Sequence, residues 1–183
     1  MAYSNTTGLP SPSDILRPWI DATWFTDESR DRGTITHQAC ADHLLGCYVI
    51  IQRQYRGYFD SFKRWCDREK PRPIIADGKP LIERRLIHST FQYCGQPDLP
   101  CWIESQKGVP GVVDLKTGVA LGKAWPLQIA AYRGLVDQYK TTGWGLSIRL
   151  RSSGKEPQVK MYDNQEIYFN TFLGCLNAYN HFK

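Results

Sequence analysis

The stretch Gly111-Val112-Val113-Asp114-Leu115-Lys116-Thr117-Gly118 carries a carboxylate and an ammonium two residues apart at the end of an apolar run. In an extended segment side chains alternate faces, so Asp114 and Lys116 point the same way while Val113 and Leu115 turn into the packing behind them. Thr117 and Gly118 mark the strand's exit, where sheet-borne sites tend to sit. A second carboxylate, Asp98, follows Pro97, and the fifteen residues between it and Asp114 include the turn signals Pro100 and Gly108. Two neighbouring strands would bring Asp98 beside Asp114, so that two carboxylates face one lysine. Carboxylate oxygens suit Mg²⁺ or Mn²⁺. Such an ion acidifies water and neutralises a leaving oxygen, while a lysine positions or deprotonates that water or stabilises charge growing on phosphorus. This is the chemistry of phosphodiester hydrolysis.

The elements that must position these groups follow from the periodicity. Residues 1 to about 12, with Pro10 and Pro12 among Ser and Thr, read as a flexible tail. Ser11 or Ser13 caps a short helix that Pro18 ends, and Trp19, Trp24 and Phe25 are expected to anchor it to the core. A helix is predicted from Asp27 through about Tyr55, with His37 early in it. A second, over residues 58–69, serves packing. From Pro80 short strands are expected over 82–90, 91–95 and 109–117. Residues 124–140 form a helix with Pro126 in its first turn, and Gln128 and Tyr132, four apart, lie on one side of it. Residues 145–151 and 158–162 alternate about the Ser152-Ser153-Gly154-Lys155 turn, giving a hairpin with a basic outer face. Asp163 or Asn164 caps a last helix that packs through Ile167, Phe169, Phe172, Leu173, Leu176 and Tyr179.

A chain of 183 residues with 42% hydrophobic and 22% charged residues suits one ordinary globular domain. No apolar run approaches the roughly 20 residues of a spanning helix, and no basic-then-apolar leader opens the chain. No membrane partner is expected, and a cytoplasmic location follows by default. The net charge of +5 suits a protein that approaches phosphates. The six cysteines contain no C-x-x-C, which argues against a zinc ribbon or a compact disulfide framework and for buried thiols.

The pattern Pro97-Asp98 followed by Asp114-Leu115-Lys116 resembles the PD-(D/E)XK nuclease superfamily. Arg32-Gly33-Thr34-x-x-His37 upstream and Gln128-x-x-x-Tyr132 downstream make it look like the RecB-like exonuclease branch, in that branch's order. The resemblance covers about residues 30 to 135. Asp-x-Lys alone is common by chance; the ordered set is specific. The resemblance implies an α/β fold with a restriction-endonuclease-like core, a central mixed β-sheet flanked by helices. It implies Asp98 and Asp114 as metal ligands with the Leu115 carbonyl, His37 completing the shell, and Lys116 as the catalytic lysine. Gln128 and Tyr132 would face the site and hold the DNA strand or the lysine. Glu83, at the start of the first expected strand, either supports a second metal or pairs with Arg84 or Arg85. Arg30, Arg32, Arg84, Lys123, Arg149, Arg151 and Lys155 are candidates for phosphate contacts. Trp102 and Trp125 either stack on a base or pack in the core.

The expected protein is a single nuclease domain, residues 1–183, acting on DNA with Mg²⁺ or Mn²⁺, most simply as a small stand-alone recombination or repair exonuclease of viral or prophage type. Such nucleases that hold an iron–sulfur cluster do so with three late cysteines; this chain has only Cys175 there, so no cluster is expected. A recombination or single-strand-binding protein and further copies of the chain are compatible partners. The rival readings are a nuclease fold that only binds nucleic acid or protein, and a structure-specific endonuclease.

Overall fold

The computed structural model describes residues 8–20, 26–118 and 122–183. Residues 1–7 of the expected tail, and Trp24 and Phe25, lie outside them. Helix α1 (Pro12–Leu16) is capped by Ser11, whose hydroxyl accepts the Asp14 amide while the Asp14 carboxylate accepts the Ser11 amide. The far end of the expected tail is thus part of the fold, and the Pro10 carbonyl accepts the Cys94 amide at 2.9 Å. A 3₁₀ turn, Arg17–Trp19, follows at Pro18.

Helix α2 (Asp27–Leu44) is capped by the Thr26 hydroxyl and stops at Leu44, short of the predicted Tyr55. Gly46 takes φ +70°, the Cys47 amide returns to the Asp42 carbonyl at 2.8 Å, and the Gly46 amide reaches the His43 carbonyl. This reciprocal pattern terminates a helix through its glycine. After a 3₁₀ turn, Arg53–Tyr55, helix α3 (Arg56–Glu69) runs to Lys70, which is left-handed at φ +44° ahead of Pro71.

The strands are β1 (Arg72–Pro73), β2 (Ile75–Ala76), β3 (Lys79–Pro80), β4 (Leu86–His88), β5 (Tyr93–Gly95), β6 (Leu99–Trp102) and β7 (Gly111–Lys116). Then come α4 (Trp125–Asp137), β8 (Trp144–Arg149), β9 (Gln158–Met161) and α5 (Gln165–Phe182). The central sheet has five strands in the order β1-β6-β7-β8-β9. Only β7 and β8 are parallel, and α4 is the crossover that parallel neighbours require. The protein is therefore mixed α/β with a mixed central sheet flanked by helices.

Two strand expectations are corrected. The expected strand over 82–90 is mainly turn, and its end, β4, pairs with β5 in a separate two-stranded ladder. The unpredicted β6 lies in the central sheet despite Pro100, pairing with β1 on one side and β7 on the other. Proline argues against an interior strand; here the Pro100 carbonyl still accepts the Ile74 amide at 2.9 Å. The β8–β9 hairpin forms as expected. In α5, Asn164 is the first flanking residue but makes no side-chain cap, and Ile167 is exposed rather than packed.

Helices cover both faces of the sheet. Val113, Leu115, Leu146 and Ile148 pack with Phe59, Phe62 and Trp65 of α3 and with Ala39 and Cys40 of α2. On the other face Val112 packs with Ala131, Leu135 and Val136 of α4, Phe172 and Leu176 of α5, and Ile15 of α1. Each such large apolar side chain contributes about 1.5–3 kcal/mol by burial. Gly145 lets α4 lie close: a Cβ there would stand 2.4 Å from Ile129 Cγ2. This closeness brings Gln128 and Tyr132 down onto the face that carries Asp114 and Lys116.

Candidate active site

Leu99 pairs with Val113 across the antiparallel β6–β7 ladder, so one step further Asp98 stands opposite Asp114. The expected meeting of two strands is how these carboxylates converge. Asp98 is held from both sides: its Oδ2 accepts the Leu115 amide at 2.6 Å, and its Oδ1 lies 3.3 Å from His37 Nδ1. Helix α2 thus carries His37 over the end of the sheet to a carboxylate that β7 has already fixed.

Glu83 is not on a strand. It occupies the turn between β3 and β4 at φ +48°, a conformation that costs a non-glycine residue free energy. Its amide lies 3.1 Å from the Pro97 carbonyl and 3.3 Å from that of Asp98, tying the two loops together. Its carboxylate faces inward, with Oε1 3.5 Å from His37 Nδ1 and Oε2 accepting Gln96 Nε2 at 2.8 Å. Neither expected arginine partners it: Arg84 pairs with Asp77 and the Ala76 carbonyl, and Arg85 reaches Cys94 Sγ.

Asp114 and Lys116 share a face, as their spacing predicts. Lys116 Nζ lies 2.6 Å from Asp114 Oδ2, a close ion pair without hydrogen-bond alignment, and donates to Gln128 Oε1 at 2.9 Å. Gln128 Nε2 in turn donates to the Tyr132 hydroxyl at 3.2 Å. The Trp125 ring, 5.6 Å from Nζ, closes the ammonium in from the start of α4. The lysine is therefore fixed by strand, helix and ring together.

The environments of these groups differ. For His37 burial favours the neutral ring, but the Asp98 and Glu83 carboxylates outweigh it and hold its pKa well above 6.5. Burial also opposes ionisation of Asp98, yet His37, Lys116 and the Leu115 amide overcome it and keep that carboxyl low. Asp114 is pushed up to about 6, mainly by burial, with the Asp98 charge adding and Lys116 opposing. Glu83 is raised by burial and by Asp98, against His37. Pushing neighbouring carboxyl groups apart in this way is characteristic of sites that handle protons or cations.

One ligand atom from each of His37, Glu83 and Asp98 lies within 4.8 Å of the others, so a single ion can bridge the three. This set differs from the expected His37, Asp98, Asp114 and Leu115. Glu83 joins it, Asp114 is turned to Lys116, and Leu115 meets Asp98 through its amide. The donors fit a divalent cation: two carboxylates and one imidazole bring negative charge and a borderline nitrogen together in a half-buried space.

The basic candidates divide. Arg149 is in parallel register with Lys116, and Ser147 with Asp114, so both belong to the same face of the site. Lys160 of β9 faces Ser147 and extends that face by a cation the sequence reading passed over. Arg151, Lys155 and Lys123 are exposed beyond the strand and before α4. Arg30 is exposed and paired with Asp27, Arg32 lies over the Tyr58 ring, and Arg84 is engaged as described. Sequence reasoning also missed Gln96, which steadies Glu83, and Tyr162, whose hydroxyl lies 3.0 Å from Ser147 Oγ. The only available signal for Ser147 was its alternation with Arg149, the same rhythm as Asp114 and Lys116.

No protein-family model matches the chain, and no curated protein matches it.

Proposed function

We propose that the protein is a metal-dependent phosphodiesterase of nucleic acid, built on a restriction-endonuclease-like core. The finer reading is a deoxyribonuclease of the RecB-like PD-(D/E)XK type, most simply an exonuclease of recombination or repair. One observation carries it: a cation-competent His37–Glu83–Asp98 group and a fixed Asp114–Lys116–Gln128–Tyr132 chain lie at the same end of one sheet.

A divalent cation at this group supplies a Lewis acid for phosphate and acidifies water. Mn²⁺ satisfies both carboxylates and imidazole, and Mg²⁺ satisfies the carboxylates alone. Asp98, with Oδ2 held by the Leu115 amide, keeps Oδ1 turned to the cation group. Asp114 completes the acidic floor, and the Leu115 carbonyl is the proposed backbone ligand. The Lys116 ammonium, restrained by Gln128, offers positive charge to the phosphoryl oxygens as negative charge grows on them. Arg149 and Lys160, on the same face, contact the phosphates of the strand.

The test is cleavage of end-labelled linear DNA with Mg²⁺, Mn²⁺ or EDTA by the wild type, Lys116→Ala and Asp114→Ala. Metal-dependent products lost in both variants are expected. A wild type inert with both metals on single- and double-stranded DNA would instead favour a nuclease fold that only binds. Closed-circular substrate in the same assay separates an endonuclease from an exonuclease.

A further inference from the structure

A second concavity lies at the opposite end of β6 from Asp98, about 13 Å away along the strand at ~3.3 Å per residue. It is an open hollow of about 200 Å³ lined by residues that include Lys70, Arg72, Lys107, Glu104, Gln106 and Trp102. Its walls are fixed. The buried Glu69 carboxylate accepts the Ser105 amide at 3.1 Å, and the Glu69 carbonyl accepts the Glu104 amide at 2.8 Å, binding the 103–108 loop to the end of α3. The left-handed Lys70 turns the chain from α3 into β1, where Arg72 is the cross-strand partner of Trp102. Arg72 and Trp102 therefore stand side by side on one face of the sheet.

Three cations and one carboxylate line this hollow, and among the described residues none of the three cations has an ion-pair or hydrogen-bond partner. Trp102 is partly buried against the core, and among the described residues no cation lies over its ring. Like charges line the hollow beside a partly exposed tryptophan, on walls tied together by hydrogen bonds. The ligand that answers all of these features is small, anionic and planar at one end.

We propose that this hollow binds a single nucleotide unit, its phosphate among Lys70, Arg72 and Lys107 and its base stacked on Trp102. A free nucleoside monophosphate and a nucleotide within a single strand present the same chemistry. The site stands apart from the acidic group and does not depend on cleavage there.

The test follows the Trp102 indole N–H signal in ¹⁵N-labelled protein, identified by its loss in Trp102→Phe. The titrants are dAMP, a short single-stranded oligonucleotide and inorganic phosphate, with EDTA present so that no strand is cut. A saturable shift with dAMP or the oligonucleotide is expected, weakened about tenfold or more in the Lys70→Glu, Lys107→Glu double variant at unchanged melting temperature. Saturation by dAMP identifies a free nucleotide as sufficient, and saturation by the oligonucleotide alone identifies a strand. No saturable shift, or a shift indifferent to the charge reversals, overturns the proposal. Equal binding of inorganic phosphate, measured calorimetrically and unchanged in Trp102→Phe, overturns recognition of the base. Repeating the titration with Asp114→Ala separates this result from the fate of the nuclease reading, since the hollow holds no residue of that site.

Discussion

Glu83 pairs a strained backbone with an inward-facing carboxylate. Its φ of +48° favours glycine, yet its carboxylate is the one that joins His37 and Asp98. Replacing it by glycine relieves the backbone and one carboxylate repulsion while removing a proposed ligand. Glu83→Gly is expected to stabilise the fold by about 1 kcal/mol, read as a higher Tm. Its Mn²⁺ affinity by calorimetry should fall about tenfold or more. A lower Tm would mean that the bonds to His37 and Gln96 outweigh the strain. Lys116 makes the complementary point, since its position rests on Gln128 and the Trp125 ring as well as on its own strand.

At the scale of elements, the site depends on how closely α4 approaches the sheet. Gly145 sets that distance, because a methyl group there meets Ile129 and Arg133 at 2.4 and 3.0 Å. Gly145→Ala should cost about 1–3 kcal/mol by overpacking, measured by urea unfolding. It should also lift Gln128 away from Lys116, so cleavage should fall further than Tm predicts; full activity in a destabilised variant would show that the Gln128 contact is dispensable. The end of α3 carries a pH-dependent tie. Burial alone would raise the Glu69 carboxyl, but Ser105 and Arg68 outweigh it and hold its pKa below the ordinary 4.5. A group depressed on folding stabilises above its unfolded pKa and loses that contribution as pH falls through its folded one. Glu69→Gln should therefore be less stable than the wild type at neutral pH, and the difference should shrink as pH falls through the depressed folded-state pKa, by urea unfolding across that range. A constant difference would show that packing, not charge, is what the substitution removes.

For the whole molecule, a net charge of +5 becomes informative through its placement. Sheet register puts Lys116 beside Arg149 and Ser147 beside Lys160, so three adjacent strands present cations on the face of Asp114. Contacts of this kind bind phosphates irrespective of sequence and release counterions. The Arg149→Ala, Lys160→Ala double variant is expected to bind DNA more weakly and to flatten the plot of log affinity against log salt by about two units. Filter binding in EDTA measures this without cleavage. An unchanged slope would place the DNA elsewhere. Among the described residues no helix is long and apolar enough to cross a membrane.

Local chemistry determined much of this protein from the sequence. Alternation in 111–116 put Asp114 and Lys116 on one face, four-residue spacing put Gln128 with Tyr132, and Ser11 or Ser13 marked the start of α1, because each relation spans only a few residues of regular backbone. Gly46 was visible too, although a helical pattern carried the prediction past it. Tertiary structure decided the rest. β6 exists because β1 and β7 supply partners that outweigh its Pro100, and Glu83 reaches His37 only because its turn is held by the carbonyls of Pro97 and Asp98. Asp114 faces Lys116 while Glu83 completes the cation group, a choice set by distances between segments far apart in the chain. Such contacts have no period in the sequence, since loop closure and packing of distant elements set them.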